Sequence, residues 1–295
     1  MPVESDRASP ATLACVILTA GGRDTELGRA VASVLAQQGP PIDVVVVGNG
    51  SPVPGLADGA RAVDLPDNLG IPGGRNVGVA QTDAEIVLLL DDDGWLPSRT
   101  VADHVRRLFD GEPRLGIVSF RIVDPDTGTT QRRHVPRLWV RDPGRSSSVT
   151  TFLGGACAVR RRVFETAGPL PDEFFYAHEE TDLAWRAMDA GWRIRYDADV
   201  VMYHPATSPA RHATYLRLNA RNRVWLVRRR LPLVLGALHL AVWSVLTVAR
   251  LRRLGPLRAW FAGFIEGLRT PCGERQPIRW RTAVRMTLLG RPPVV

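Results

Sequence analysis

Residues 84–97, AEIVLLLDDDGWLP, constrain the fold more than any other stretch, because an apolar run stops abruptly at three consecutive aspartates. Ile86 to Leu90 is unbroken β-branched and leucine sequence. It is short enough for a strand buried on both faces, as the central strands of a parallel α/β sheet are. Asp91, Asp92 and Asp93 at its carboxyl end repel one another and can stay ionised together only if a cation or firm hydrogen bonding compensates them. Hard oxygen ligands at this density suit Mg2+ or Mn2+, which in turn would hold a diphosphate. A solvated acidic turn punctuated by Gly94 and Pro97 is the other reading of this stretch alone.

The segments on either side repeat the α/β pattern. Leu13 to Thr19 reads as a strand, and Leu27, Ala30, Val31, Val34 and Leu35 recur at helical spacing until Gly39-Pro40-Pro41. Ile42 to Val47 is a second buried strand ending in the turn Gly48-Asn49-Gly50-Ser51-Pro52. This is a βαβ unit, and ligands of such units sit at the carboxyl ends of strands, where Thr19 and Asn49 fall. A weak strand over Ala60 to Leu65 leads to NLGIPGGRNVG, whose glycines are expected to precede a helix and let backbone amides approach a ligand, with Arg75 suited to phosphate. A helix over Ser98 to Phe109 and a strand over Leu115 to Val123 follow.

Asp124 to Thr151 has no sustained periodicity and reads as a long irregular insertion. A strand over Phe152 to Val159 and a short helix over Arg160 to Ala167 come next, then a turn with the aromatic pair Phe174-Phe175. The helix that begins near Glu179 or Glu180 and ends at Gly191 carries Glu179, Glu180 and Asp182 in its first turn. There the carboxylates are either chemistry or simple complements to the helix dipole. Trp192 to Tyr196 and Val200 to Tyr203 read as two short strands leading to His204.

Taken in order, CVILTAGGR, AVASVLAQ, VVVVGNGS, NLGIPGGRNVGVA, LLLDDD, FLGGACAVRRRVFETAGPLPDEFF and HEETDLAWRAMDAGWRI resemble a family 2 glycosyltransferase of GT-A fold. The bacterial rhamnosyl- and galactofuranosyl-transferases are the members most alike. The resemblance implies an α/β fold, a mixed sheet flanked by helices. It also implies transfer of a sugar from a UDP- or dTDP-type donor to a hydroxyl of a glycan, lipid-linked or natural-product acceptor, with inversion. It places Thr19, Asn49 and Asp91 against the nucleoside and Arg75 near donor phosphate or sugar. A divalent metal, Mn2+ or Mg2+, falls to Asp93 with Asp91 or Asp92, and His204 is a further ligand. The general base falls to Glu180, where the family usually has Asp, with Glu179 and Asp182 as alternatives. Gly48 and Asn49 replace acids usual in that turn, which leaves the base preference open. A sugar-nucleotide pyrophosphorylase shares the architecture, but such enzymes rely on lysines and this chain has none. A catalytically silent nucleotide-sugar-binding module is the third reading.

Charge divides the chain. From His204 onward 17 Arg face only Glu266 and Glu274, net +15, so an overall +8 leaves −7 for the residues before it. Residues 1–12 are expected to be a loose tail without signal-peptide character, 13–215 the catalytic domain and 216–295 a basic and apolar helical extension. Leu231 to Ala249 is almost free of charge and is bracketed by arginines on both sides, which fits a helix lying on an anionic membrane. A single pass and a buried oligomer helix are the alternatives. No nucleic-acid motif accompanies the charge. Cys15, Cys157 and Cys272 are odd in number and scattered, implying neither a disulfide framework nor a zinc site, so a reducing compartment is expected. Together with the basic extension this gives an expected cytoplasmic location, peripheral at the inner face of the cell membrane.

Overall fold

The computed structural model describes residues 11–139, 142–206 and 213–295, so the tail expected over residues 1–12 lies almost wholly outside the described residues. The chain opens with β1 (Leu13–Thr19), α1 (Asp24–Leu35), β2 (Ile42–Asn49), β3 (Ala60–Leu65) and α2 (Gly70–Ala80). The aspartate strand β4 (Ile86–Asp91), α3 (Val101–Gly111) and β5 (Leu115–Val123) follow. After the insertion come β6 (Ser147–Ser148), β7 (Ala156–Arg160), α4 (Arg161–Ala167), α5 (Glu179–Asp189) and β8 (Arg193–Tyr203). The chain ends with α6 (Ala213–Arg230), α7 (Leu233–Arg250), α8 (Leu254–Arg269) and α9 (Trp280–Leu288).

The strands form one sheet in the order β3-β2-β1-β4-β7-β5-β8-β6. β7 runs antiparallel to both β4 and β5, and β6 runs antiparallel to β8, so the sheet is mixed. β4 sits between β1 and β7, and Ile86 to Leu90 are inaccessible to solvent, as expected of a strand covered on both faces. Alternate side chains divide between two cores. Val87 and Leu89 join Val16, Val45 and Val47 beneath α5 and α6, while Ile86, Leu88 and Leu90 join Cys15, Ile17 and Val46 beneath α1 and α3.

Two expectations change. The glycines of NLGIPGGRNVG do not precede a helix; Gly70, Gly73, Gly74 and Gly78 lie inside α2. The reason is steric, since a Cβ at Gly74 would strike Leu18 and one at Gly78 would strike Val16, so the bare backbone lets α2 lie directly on β1. The two short strands after α5 are one strand, β8, whose pairing with β5 slips between Asp197 and Val201. The insertion is irregular as read, but it is anchored by Val135 and Val149 in the first core and by the pairing of β6 with β8. The C-terminal helices share that core through Trp225, Leu226, Ile278, Ala283 and Met286.

Candidate active site

A cleft of about 760 Å3 opens over the carboxyl ends of β1, β2 and β4, and Thr19, Asn49, Arg75, Asp91, Asp92, Asp93 and His204 all line it. The three aspartates point to different partners. Asp91 accepts from Arg75 Nη2 at 2.9 Å. Asp92 accepts from the Thr19 hydroxyl at 2.7 Å and from Arg23 Nη1 at 3.1 Å. Asp93 takes Arg23 Nη1 on one oxygen at 2.7 Å and lies 3.0 Å from His204 Nε2 on the other.

Asp91, Asp93 and His204 each offer one ligand atom, all within 4.8 Å of one another. Two carboxylates suit Mg2+ or Mn2+ and an imidazole adds a borderline nitrogen ligand, so the donors fit a divalent ion. His204 Nδ1 sits 2.7 Å from the Pro205 carbonyl, which takes the Nδ1 hydrogen and leaves Nε2 as the ligating atom. Burial works against charge on His204, but the Asp93 carboxylate more than offsets it and raises its pKa. Burial also works against charge on Asp93, but His204 and Arg23 bring its pKa below the ordinary value. Asp92 goes the other way, held up by burial that Thr19 and Arg23 only partly offset. Asp92 therefore belongs with Thr19 as a support beside the triad.

The second acidic group arrives from α5. Arg75, 3% exposed, bridges the two groups: its Nη2 holds Asp91, and its Nη1 lies 3.8 Å from Glu180 Oε1. Two glycines before β7 make the meeting possible, since a Cβ at Gly155 would occupy the Asp91 carboxylate and one at Gly154 would strike Arg75 and Glu180. Burial raises the pKa of Glu180 while Arg75 works to lower it. Glu179 is 1% exposed, burial and Glu180 push it up to about 8, and its Oε2 has no hydrogen-bond partner among the described residues.

Asp182 does not line the cleft. It is wholly buried, pairs with Arg186 at 2.7 Å and Arg230 at 2.7 Å, and is held below the usual carboxylate range by those guanidiniums against the cost of burial. It ties α5 to the end of α6, an ordinary buried network that first-turn spacing alone does not distinguish from a base. Asn49 is likewise committed to the chain. Its Oδ1 accepts from Leu69 N–H at 2.8 Å, and its Nδ2 donates to Gly70 O and Asn68 Oδ1, so both amide hydrogens are committed to shaping the cleft wall while one lone pair of Oδ1 stays unused.

The sequence reading gave no site role to three features, although the Arg221-Asn222 pair resembles one found in bacterial members of the family. Arg23, held on the Gly21-Gly22 turn, is the cation that compensates Asp92 and Asp93, and the glycine pair beside an arginine was its only signal. Tyr176 and Tyr215 meet edge to face at 5.8 Å on the opposite wall of the cleft. Asn222 is fully buried on α6 and donates to the carbonyls of Phe174, Tyr176 and Ala177. That strap holds a segment in which Phe175, Ala177 and His178 adopt positive φ, uncommon for residues with a Cβ, immediately before Glu179.

A family model described as glycosyl transferase family 2 matches residues 15–168, more than half of the chain and the part that supplies the aspartates and Arg75. The chain belongs to glycosyl transferase family 2. Two curated relatives, pre-mycofactocin glycosyltransferases of Mycobacterium tuberculosis, are 26% identical over 253 residues that cover 77% of this chain and 51% of theirs. The chain thus spans about half the length of the curated relatives it matches. Among solved structures, a mannosyltransferase from Pyrobaculum calidifontis in complex with GDP-Man and Mn2+ covers 96% of this chain and 85% of its own, at 16% identity and TM-score 0.55. S. aureus TarS 1–349 in complex with UDP-GlcNAc covers 92% and 83%, at 14% identity and TM-score 0.62. At these identities the likeness is one of fold. The family 2 chain has the GT-A architecture, a mixed sheet flanked by helices with the cleft at its strand ends.

Proposed function

We propose that this protein is an inverting glycosyltransferase that moves a sugar from a nucleoside-diphosphate donor in the cleft to an acceptor hydroxyl, with Glu180 as general base. The observation that carries the reading is Arg75, a lining residue of the cleft, which holds Asp91 at the end of β4 at 2.9 Å and lies 3.8 Å from Glu180 at the start of α5, just behind the cleft wall. The relatives with GDP-Man or UDP-GlcNAc bound lend the donor class.

Asp91, Asp93 and His204 would hold a divalent ion, which when bound supplies positive charge to the departing diphosphate. The rest falls to side chains. As the anomeric carbon exchanges its bond to phosphate oxygen for one to the acceptor oxygen, the acceptor hydroxyl gives its proton to Glu180. Arg75 holds that carboxylate and Asp91 in register. Burial and the charge of Glu180 raise the pKa of Glu179, which limits the negative charge packed beside Glu180. Tyr176 and Tyr215 give the cleft an aromatic wall suited to the apolar face of a sugar ring.

Glu180→Gln is expected to keep donor affinity within about twofold while lowering turnover by roughly 10²- to 10⁴-fold. Donor affinity is read by thermal shift across UDP-, dTDP- and GDP-sugars with and without Mn2+. Asp93→Ala is expected to abolish the Mn2+-dependent part of that shift. Transfer retained by Glu180→Gln removes Glu180 from the role of base.

We also propose that the protein works at an anionic membrane face, where lipid-linked or nascent glycan acceptors are held. α7 is the one helix among the described residues long and apolar enough to cross a membrane. However, it turns Gly236, His239 and Thr247 inward while exposing Val234, Leu238, Val245 and Val248, a one-sided arrangement that favours lying in the interface over spanning it.

A further inference from the structure

A second cavity, of about 70 Å3, lies between the first turn of α5, the inner face of α7 and the C-terminal segment, and shares no lining residue with the cleft. Its chemistry is unusual for an interior, because it is lined by Arg223 and Arg291 and by no Asp or Glu among the described residues; Val295, whose α-carboxylate is the one anionic group on the lining, pairs with neither guanidinium within 4.0 Å. Arg223 is 8% exposed and makes no ion pair with a carboxylate among the described residues; it contacts His239 Nε2 at 3.1 Å and the face of Trp243 at 3.7 Å. His239 Nδ1 lies 2.7 Å from the Pro293 carbonyl, so the ring is fixed with Nε2 accepting from Arg223 and carries no charge. Burial and the repulsion of Arg291 and Arg250 lower the Arg223 pKa to about 9.

Of the remaining polar groups one is a fixed donor and the others can donate by rotation or choice of tautomer. Trp243 Nε1 can only donate, His178 Nε2 sits beside it on the lining, and both are buried without a hydrogen-bond partner among the described residues. Thr150, Thr151 and Thr181 add hydroxyls that can turn either way. A buried guanidinium without a counter-charge costs several kcal/mol, and orphaned donors add to that cost. An anion offsets both at once. Space of about 70 Å3 is several times the 10–15 Å3 that one water needs, and so accommodates a compact ion of about five heavy atoms.

We propose that this chamber is a binding site for a tetrahedral oxyanion, phosphate or sulfate, or the phosphate of a lipid headgroup, held between Arg223 and Arg291 with donors from Trp243 and His178. The ion would tie α7 to the turn that carries His178, the residue immediately before Glu179 and Glu180 on α5.

The test uses the full chain and inorganic phosphate or sulfate, with chloride at matched ionic strength as the reference. At about a hundredfold excess over Kd, phosphate is expected to raise the Tm on the order of 5 °C above the chloride value. Arg291→Gln is expected to lose that rise. Trp243→Phe, which keeps the ring and removes only the N–H, is expected to weaken phosphate roughly tenfold with unchanged circular dichroism. Phosphate can also enter the nucleotide cleft, so the readout is the difference between wild type and Arg291→Gln. An equal rise in both proteins, or no rise above chloride, overturns the proposal. Given a wild-type-specific rise, the source is read from vesicles of phosphatidic acid. Binding that inorganic phosphate displaces and Arg291→Gln loses assigns the headgroup, and binding indifferent to both assigns the free ion.

Discussion

Glu179, Glu180 and Asp182 open the same helix and have three different roles, decided by partners rather than by spacing. Asp182 meets three guanidiniums, of Arg186, Arg229 and Arg230, Glu180 meets the Arg75 bridge, and Glu179 meets no counter-charge at bonding distance among the described residues. Glu179 sets a signed pH dependence. Its folded pKa of about 8 lies above the ordinary value near 4.5, so between those values the folded state keeps a proton that the unfolded state has released, and stability falls as pH rises. Glu179→Gln cannot lose that proton, so its Tm relative to wild type is expected to climb steadily from about pH 5 to pH 8; a constant difference across that range refutes the assignment. Asp182 has the opposite sign, contributing stability at neutral pH that is lost on acidification through its lowered pKa. Asp182→Asn is expected to cost about 3–5 kcal/mol by chemical denaturation at pH 7, because Arg186 and Arg230 would stay buried without their counter-charge. None of this was legible locally. Arg186 is four residues from Asp182 and was in view, but Arg230 is 48 residues away and reaches it only through the packing of α6 on α5.

At the scale of elements, the buried strand β4 and its acidic end were readable because an apolar run ending in three aspartates admits few foldings, whereas the antiparallel insertion of β7 between β4 and β5 was not. The glycines of α2 were not, because low helix propensity argues for a loop until a neighbouring strand comes within reach. The two glycine sets now predict different outcomes. A Cβ at Gly78 meets Val16 and Val47, buried side chains in the centre of the sheet that cannot retreat, so Gly78→Ala is expected to destabilise the fold by about 1–3 kcal/mol. A Cβ at Gly155 meets only the Asp91 carboxylate, the end of a half-exposed side chain that can swing away. Gly155→Ala is therefore expected to leave stability within about 1 kcal/mol of wild type and to remove the Mn2+-dependent thermal shift, since the displaced carboxylate leaves the triad. Equal destabilisation by the two substitutions would contradict this division.

Over the whole molecule the charge asymmetry, −7 before His204 and +15 from it onward, coincides with an asymmetry of surface. α7 exposes Val234, Leu238, Val245 and Val248, α8 exposes Leu254, Phe261, Ile265 and Leu268, and α9 exposes Trp280, Val284 and Leu288, each set at helical spacing. Arg250, Arg252, Arg253, Arg258 and Arg281 stand among them. Apolar stripes beside arginines match a bilayer surface of acyl boundary and anionic headgroups, where each cation adds about 1 kcal/mol. Deleting the C-terminal helices does not test this cleanly, because Ile278, Ala283 and Met286 complete the core beneath α5. Substitution of exposed side chains does. Val234→Glu combined with Val245→Glu is expected to leave the Tm unchanged and to reduce flotation with phosphatidylglycerol vesicles more than tenfold, while wild type floats with those vesicles, releases at high salt and ignores phosphatidylcholine. Resistance of the wild type to alkaline carbonate extraction would instead make α7 a span, and wild-type protein that stays in solution beside anionic vesicles at physiological salt would leave the stripes to a second copy of the chain.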